Sequence, residues 1–191
     1  MENIDNDTLN IPEIKLQEDK TVENDDFNND HEPENSLIEC DGSLRETSDN
    51  FVVIYCDGSC LGNGTPAAKA AYGVYFGPYS SLNMGKRLSD QYRQTNNSAE
   101  IVAMTEAVLA AKKLDYKLIE IRTDSKFLIV CVKKYLPFWL EIGWLTTTGQ
   151  PVRNRPELEE LYKEMRGVSV RLVHIKGNSG EVGNDRADFL A

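Results

Sequence analysis

The sequence has few cysteines and histidines, and their spacing does not favour a disulfide framework or a zinc site. Its 191 residues include four cysteines, at positions 40, 56, 60 and 131, and only two histidines. No Cys-x-x-Cys pair occurs, although structural zinc sites usually contain one. We therefore expect reduced thiols that mainly pack in the protein interior.

Long hydrophobic runs are also absent. No segment approaches the roughly 18 consecutive apolar residues that a membrane-spanning helix needs. The N-terminus shows neither the apolar core of a signal peptide nor the Arg-rich composition of a transit peptide. We expect a soluble intracellular protein with no membrane partner, and the sequence does not distinguish the nucleus from the cytoplasm.

The first 50 residues have little apolar or aromatic content. Residues 1–50 contain 16 acidic and 3 basic residues, whereas residues 51–191 contain 15 acidic and 18 basic residues. Because such a segment cannot bury enough apolar surface to offset its ordering entropy, we predict a disordered acidic N-terminal tail over 1–50 and one folded domain over 51–191. This tail either solvates the protein, competes with nucleic acid for a basic groove, or binds a partner. The net charge of −10 thus does not exclude a nucleic-acid partner.

The most informative segment runs from Phe51 to Cys60, where a β-branched apolar run leads into Asp57 and Gly58. Apolar residues at both parities indicate a central strand that is covered on both faces. An uncompensated carboxylate at its end would cost several kcal/mol, so a cation should lie beside Asp57. The same Cys-Asp-Gly-Ser sequence occurs at 40–43 with little apolar support, where it indicates only a turn.

The following patterns predict alternating strands and helices. Asn96-Asn97-Ser98 is typical of a helix start, and Glu100 lies in the first turn of that helix. Asp124 follows a strand in the same way as Asp57, so the two carboxylates should emerge at one sheet edge if these strands are parallel neighbours. We expect strands over 70–76, 83–88, 118–123 and 168–175, and helices over 96–113, from about 127 to a stop at Pro137, over 156–165, and in a C-terminal segment with Asp185 and Asp188.

This order of elements, together with four sequence blocks, resembles type 1 ribonuclease H. The resemblance covers residues 51–191 and implies an α/β fold of the ribonuclease H-like type. That fold has a five-stranded mixed sheet, with the first three strands antiparallel, strands 1, 4 and 5 parallel, and helices on both faces. The blocks are Tyr-Cys-Asp-Gly-Ser-Cys at 55–60, Arg-Gln-Thr-Asn-Asn-Ser-Ala-Glu at 93–100, Thr-Asp-Ser at 123–125 and Gly-Asn-Asp-Arg-Ala-Asp at 183–188.

The resemblance implies a hydrolase, specifically an endonuclease that cuts the RNA strand of RNA–DNA hybrids and leaves 5′-phosphate and 3′-hydroxyl ends. The implied catalytic residues are also ligands of two Mg²⁺ ions, with Mn²⁺ as a substitute, and are Asp57, Glu100, Asp124 and Asp188. Four neighbouring carboxylates repel one another, so hard divalent cations would stabilise them. The implied hybrid contacts are Asn63, Asn96 and Asn97 in the minor groove, Tyr135, Trp139 and Thr147 along the DNA strand, and Arg93, Thr95 and Asn154 around a phosphate. We expect a monomer, and the sequence identifies no protein partner.

Three features depart from the family pattern. Asn178 occupies the flexible-loop position where a histidine is usual, Tyr135 stands where relatives often have tryptophan, and no separate N-terminal hybrid-binding domain is evident. Asn178 cannot take up a proton near neutral pH, and Glu181 is a candidate partial substitute. We interpret His174, which lies within a strand pattern, as structural. Two alternatives stay open: a low-turnover or non-catalytic hybrid-binding protein of the same fold, and a ribonuclease H domain released from a reverse transcriptase.

Overall fold

The computed structural model describes residues 32–33, 36–40 and 44–191. A π-helical turn, Cys131–Tyr135, connects the second and third α-helices. No helix in these ranges combines the length and the apolar composition that crossing a bilayer requires. The strands are β1 (Ile38–Cys40), β2 (Leu44–Glu46), β3 (Val52–Leu61), β4 (Lys69–Tyr75), β5 (Met84–Arg87), β6 (Leu118–Thr123) and β7 (Ser169–His174), and the helices are α1 (Asn96–Lys113), α2 (Lys126–Val130), α3 (Leu136–Ile142), α4 (Arg155–Met165) and α5 (Val182–Leu190).

Strand β3 is the centre of one mixed sheet. It pairs antiparallel with β4 and parallel with β6. Strand β5 adds antiparallel to β4, and β7 adds parallel to β6. These five strands have the directions that were predicted, so the mixed ribonuclease H-like sheet is confirmed.

The helices cover both faces of this sheet, as predicted. Helix α1 packs against the face that presents Val52 and Ile54, and α5 packs against the face that presents Val53 and Tyr55. Both helices approach the sheet very closely. A Cβ atom added to Gly73 of β4 would lie 2.0 Å from the Ala187 carbonyl oxygen of α5. Glycine in the strand therefore allows a helix backbone to rest directly on the sheet.

The short strands β1 and β2 were not expected. They form an antiparallel hairpin, and Glu46 of β2 pairs with Val52 of β3. Leu44 and Thr47 are buried. The prediction of a disordered tail is therefore wrong for residues 44–50, because contacts with distant parts of the sheet order a segment whose own composition would not. Residues 1–31, 34–35 and 41–43 lie outside the described residues, and the division of the chain after residue 50 stays a prediction.

The prediction that a helix stops at Pro137 is also wrong. The π-helical turn leads directly into α3, which contains Pro137 in its first turn and ends at Ile142. A proline is tolerated there because the first N–H groups of a helix have no carbonyl partner inside that helix. The Leu136 N–H instead donates to the Cys131 carbonyl, five residues back, which closes the π-helical turn.

Three of the four thiols pack as expected, and the side chain of Cys40 lies outside the part of the chain that the structure describes. Cys56 and Cys131 are buried, Cys60 is partly buried, and all three are free. Burial raises the pKa of Cys131 to about 12, which keeps its thiol protonated and unreactive.

Candidate metal centre

Three acidic side chains meet just beyond the point where the parallel pairing of β3 and β6 ends. Asp57 lies within β3, which continues to Leu61, so the prediction that it stands at a strand end is wrong. Each of Asp57, Glu100 and Asp124 offers a carboxylate oxygen, and these oxygens all lie within 4.8 Å of one another. Tyr55 of β3 is in register with Arg122 of β6, so Asp57 and Asp124 lie two residues beyond the same pair. The parallel pairing of the two strands therefore brings both carboxylates to one edge, as the sequence predicted.

Helix α1 supplies the third acid because its N-terminal part lies against β3. Glu100 is the fifth residue of α1, so the prediction that it lies in the first turn is wrong by one residue. Thr95 caps this helix, since the Ser98 N–H donates to Thr95 Oγ1 at 3.2 Å. A Cβ atom on Gly58 would lie 2.4 Å from the Glu100 backbone nitrogen. Glycine immediately after Asp57 therefore lets the helix backbone approach closely enough to place Glu100 beside Asp57 and Asp124.

Burial and mutual repulsion perturb this cluster strongly. Asp57 is 7% exposed and Glu100 is 4% exposed. Burial, followed by the charge of Asp124, raises the pKa of Asp57 to about 7, although the Gly58 N–H donates to its carboxylate at 2.8 Å and opposes the rise. Burial, followed by the charges of Asp57 and Asp124, raises the pKa of Glu100 to about 9. The protein thus holds acids where their ionised forms are disfavoured unless a cation is added.

The donor set fits a hard divalent cation. Oxygen atom Oε2 of Glu100 is buried and has no hydrogen-bond partner among the described residues. A buried acceptor without a partner normally costs free energy, which a metal ion would recover by coordination. Carboxylate oxygens are the ligands that Mg²⁺ and Mn²⁺ prefer. The cluster of Asp57, Glu100 and Asp124 could therefore hold a metal ion.

Asp188, the fourth predicted acid, lies at the rim of this cluster. It is on α5 and exposed, and it does not belong to the group of three whose oxygens are mutually within 4.8 Å. Its negative charge and a hydrogen bond nevertheless contribute to the raised pKa of Asp57. The structure thus brings Asp188 next to Asp57 from the opposite side of the sheet to Glu100.

Asn184 is a residue at this site that the sequence-based prediction missed. It is buried, and its Nδ2 atom lies 3.5 Å from Asp124 Oδ2. Its Oδ1 atom is buried without a partner in the described part of the chain. A usable signal was present, because Asn184 precedes Asp188 by four residues and residues at this spacing share one helix face.

The predicted phosphate contacts are partly brought together. Asn154 Nδ2 donates to Ser98 Oγ at 2.9 Å, and Thr95 Oγ1 lies 3.0 Å from the same hydroxyl. Arg93 is exposed two residues before Thr95. Ser98 therefore links two of the three predicted residues, although it was not itself predicted to do so.

The predicted minor-groove residues lie around the start of α1 and the end of β3. Asn96 and Asn97 begin α1, next to Thr95. Asn63 is exposed in the turn that follows β3. These three amides are thus placed at elements that also carry Asp57 and Glu100.

The predicted DNA-strand contacts form an aromatic stack. The Tyr135 and Trp139 ring centroids are 5.3 Å apart with an interplanar angle of 25°. Trp139 in turn stacks on the buried Trp144, with centroids 6.4 Å apart. Tyr135 is 41% exposed and so presents the outer ring of the stack to solvent. Thr147 is exposed in the loop between α3 and α4.

His174, Asn178 and Glu181 lie at the end of β7 and in the segment that leads to α5. Asn178 is exposed and has a φ of 54°, in the left-handed region that asparagine tolerates. His174 is partly buried, and burial followed by the charge of Lys126 lowers its pKa. Glu181 accepts hydrogen bonds from Tyr55 Oη at 3.0 Å and from Arg122 Nη1 at 3.2 Å. It would have to break these contacts before it could substitute for a loop histidine.

Comparison with solved structures places this architecture in the ribonuclease H-like class. LC9-RNase H1, described as a type 1 RNase H with the type 2 active-site motif, is 23% identical with a TM-score of 0.58, over 73% of this chain and 69% of that one. A foamy viral protease-reverse transcriptase in complex with RNA/DNA hybrid is 22% identical with a TM-score of 0.61, over 73% of this chain and 19% of that one. At these identities the likeness establishes the fold alone.

Sequence comparison then identifies the family. The RNase H family model matches residues 49–191, and the chain belongs to the ribonuclease H family. Ribonuclease H1 of Mus musculus is 41% identical over 140 residues, and Ribonuclease H1 of Homo sapiens is 39% identical over 142 residues. The chain spans about half the length of these mammalian relatives, 48% and 49% respectively, and the alignments cover 73% and 74% of the chain. A Ribonuclease H of Coxiella burnetii is 32% identical over 78% of this chain and 92% of its own length.

Proposed function

We propose that this chain hydrolyses the RNA strand of RNA–DNA hybrids as an endonuclease that depends on two divalent metal ions, Mg²⁺ or Mn²⁺. The observation that carries the proposal is the cluster of Asp57, Glu100 and Asp124, in which the raised pKa values of Asp57 and Glu100 call for a cation. Relatives that bear the name Ribonuclease H1 at about 40% identity support the same reaction. The foamy viral relative with an RNA/DNA hybrid supports the same substrate class.

Each acid has a role that follows from its neighbours. When bound, the two ions would activate a water molecule and stabilise the leaving 3′-oxygen, which gives 5′-phosphate and 3′-hydroxyl products. Asp57 is suited to be shared between the ions, because both Asp124 and Asp188 act on its carboxylate. Glu100 and Asp124 would hold the ion on the leaving-group side, and Asp188 would complete the coordination of the ion on the water side.

The residues around the cluster would recognise the hybrid. The 2′-hydroxyl is the group by which a protein distinguishes RNA from DNA at one position. We assign it to Glu100 together with Asn63, Asn96 and Asn97, which lie at the ends of the same two elements. The hydroxyl and amide groups joined at Ser98, with the exposed Arg93, suit a backbone phosphate.

The DNA strand would follow the aromatic stack. Tyr135 is exposed and Trp139 is partly buried beside it, and Thr147 offers a hydroxyl nearby in sequence. Lys133 and Lys134, next to Tyr135, add positive charge that attracts a nucleic-acid backbone. We propose that the protein acts as a monomer inside the cell. Its catalytic domain would span residues 51–191, with an acidic segment before it.

Cleavage of a labelled RNA–DNA hybrid tests the proposal. We expect Mg²⁺- or Mn²⁺-dependent internal cutting of the RNA strand, analysed by denaturing gel, with 5′-phosphate on the downstream product. Single-stranded RNA, duplex RNA and duplex DNA of the same sequence serve as controls. Equal cutting of duplex RNA would refute the substrate assignment. Binding of the hybrid without any cutting would support the alternative of a non-catalytic hybrid-binding protein.

A further inference from the structure

A second charged cluster lies on the face of the sheet that α5 covers, outside the metal centre. Two buried residues lie at its centre: the side chain of Arg122 is 0% exposed and that of Glu120 is 2% exposed. Arg122 Nε donates to Glu120 Oε1 at 2.8 Å. Its Nη1 donates to Tyr55 Oη and to Glu181 Oε1, both at 3.2 Å, and its Nη2 donates to the Glu32 carbonyl at 2.8 Å. A buried guanidinium is thus satisfied from four directions.

A second arginine extends this cluster to the N-terminal segment. Arg171 Nε donates to the other oxygen of Glu120 at 2.7 Å. Its two terminal nitrogens form a fork with Asp49 at 2.8 and 2.9 Å, and its guanidinium lies 3.9 Å above the Phe51 ring. The hydrogen bonds from Arg171 lower the pKa of Asp49 to about 2. Glu120 therefore connects the two arginines, and through them residues 32 and 49 are tied to Glu181.

Glu181 stands at the N-terminus of α5, and its side chain does not cap that helix. Its carboxylate is directed instead to Tyr55 and Arg122. The first turn of α5 is also pressed against the same tyrosine, because a Cβ atom on Gly183 would lie 2.3 Å from the Tyr55 ring. The start of α5 is thus fixed to β3 at a residue that precedes Asp57 by two.

Asp188 follows Glu181 by seven residues on the same helix, about two turns further on. Because Asp188 is exposed and lies at the rim of the carboxylate cluster, its distance from Asp57 depends on where α5 is held. The ion pair of Glu181 with the buried Arg122 joins the start of α5 to the sheet. Because Ala187 rests on Gly73 of β4, a shift of the helix start would tilt α5 about that contact. The tilt would move Asp188 relative to Asp57 and leave Glu100 and Asp124, on other elements, in place.

We infer that Glu181 is a positioning residue for Asp188. Its ion pair with Arg122 and its hydrogen bond with Tyr55 set the position of α5, and so place Asp188 beside Asp57 as the fourth acid of the metal centre. Glu32 and Asp49 support this anchor, because the Glu32 carbonyl binds Arg122 and the Asp49 carboxylate binds Arg171 of the same cluster. The inference rests on the proposed metal-dependent hydrolysis. It goes beyond that function in assigning a role to a cluster that touches neither metal nor substrate.

The test compares Glu181→Gln, Asp188→Asn and the double variant with the parent. The matched control is Glu159→Gln, which breaks the ion pair of Glu159 with Arg155 on the surface of α4. We expect Glu181→Gln to lower kcat by about tenfold or more, with KM for the hybrid changed less than about twofold, because a misplaced ligand affects chemistry more than binding. In the Asp188→Asn background, Glu181→Gln should lower kcat by less than about a further twofold.

Calorimetry of Mn²⁺ binding to the metal-free protein gives a readout that does not need activity. Glu181→Gln and Asp188→Asn should each weaken Mn²⁺ binding. The Mn²⁺ affinity of the double variant should be close to that of Asp188→Asn alone. Fully additive effects, or an unchanged kcat with only a lower melting temperature, would show that Glu181 is merely structural. A parent protein that binds Mn²⁺ but does not cut the hybrid would refute the proposed function and leave the calorimetric test of positioning intact.

Gly183→Ala is a second variant in case Glu181→Gln does not fold. It keeps every charge but introduces a methyl group against the Tyr55 ring, which pushes the first turn of α5 outward. We expect the same loss of kcat and the same lack of additivity with Asp188→Asn. A folded Gly183→Ala protein with parental kcat and parental Mn²⁺ binding would overturn the inference.

Discussion

Gly58 and Glu100 are in backbone contact, since a Cβ atom on Gly58 would lie 2.4 Å from the Glu100 nitrogen. This contact joins the strand that carries Asp57 to the helix that carries Glu100. It holds the two least exposed acids of the cluster together, even though burial and repulsion raise the pKa of both. The fold therefore supplies the energy that keeps the carboxylates close before any cation binds.

The first prediction concerns this contact. Gly58→Ala should force α1 away from β3, lower the free energy of unfolding by about 1–3 kcal/mol, as overpacking commonly does, and weaken Mn²⁺ binding. Denaturant unfolding and calorimetry measure the two effects. Gly64→Ala is the control, because a Cβ atom there meets nothing within 4 Å and only its φ of 84° is unfavourable. Parental Mn²⁺ affinity in a folded Gly58→Ala protein would show that the contact does not set the site.

The second prediction separates catalysis from hybrid binding. Asp57→Asn should abolish cleavage while leaving hybrid affinity within about tenfold, since it removes the shared metal ligand and none of the groove contacts. Gel assays and fluorescence anisotropy measure the two quantities. Asp185→Asn, an equal loss of charge at an exposed residue of α5, should keep its activity. If Asp57→Asn prevents folding instead, Asp57 has a structural role that outweighs its proposed one.

The third prediction is a pH dependence of the metal-free protein. Glu100 has a folded-state pKa of about 9 against an ordinary value of 4.5, so the folded state binds more protons than the unfolded state between these values. Stability is therefore greatest below the lower value and is lost as pH rises through the window. We expect the melting temperature in EDTA to fall between about pH 5.5 and 8.5, by about 3 °C for each kcal/mol lost.

Two comparisons isolate the carboxylate that causes this slope. Glu100→Gln should remove most of it and should melt higher than the parent at pH 8.5, whereas Glu159→Gln should retain it. Saturating Mg²⁺ should restore stability to the parent at high pH but not to Glu100→Gln, because only the parent carries the charge that the ion neutralises. A parent whose metal-free stability rises steadily from pH 5.5 to 8.5 would contradict the assignment.

The fourth prediction concerns the acidic segment. Residues 1–31 contain ten acidic and two basic residues, so deleting residues 2–31 removes most of the negative charge and leaves the contacts of Glu32 and Asp49 intact. Hybrid affinity should increase at low salt and increase less at about 200 mM salt, because the repulsion that is lost can be screened. Equal affinities of the two proteins at both salt concentrations would show that this segment does not affect hybrid binding.

A longer deletion distinguishes charge from structure. Removing residues 2–50 also takes away β2, the buried Leu44 and Thr47, and the Asp49 partner of Arg171. We expect a lower melting temperature in this protein and not in the shorter deletion. Equal melting temperatures would show that the N-terminal strands contribute little to stability.

Local patterns were sufficient where a residue's role depends on its own element. Asp57 and Asp124 each follow an apolar run of residues in the sequence, and Glu100 lies near a recognisable helix start, so their meeting could be predicted from the sequence. The resemblance added Asp188. What could not be predicted depends on contacts between distant residues: Glu181 meets Arg122 across 59 positions, and Asp49 meets Arg171 across 122. A polar segment such as 44–50 has no local signal for order, because its order depends on a distant residue, Arg171, which binds Asp49 and Thr47.

The last prediction concerns the loop between β7 and α5. Asn178 can hydrogen-bond a phosphate or a water molecule, but it cannot take up and release a proton near neutral pH. The nearest acid considered as a substitute, Glu181, is held by Tyr55 and Arg122. The parent should therefore lack any general acid–base contribution from this loop, which is commonly worth about 10²-fold or more in rate.

Asn178→His should restore part of that contribution. Histidine tolerates the left-handed backbone at this position better than most residues, so the variant should fold like the parent. We expect a faster steady-state rate, with a smaller gain in single-turnover cleavage if the imidazole acts mainly in product release. Ser179→His, which adds the same ring at the next exposed residue, is the control and should not accelerate the reaction. A steady-state rate of Asn178→His at or below that of the parent would mean that the metal ions alone already carry the proton transfers of this site.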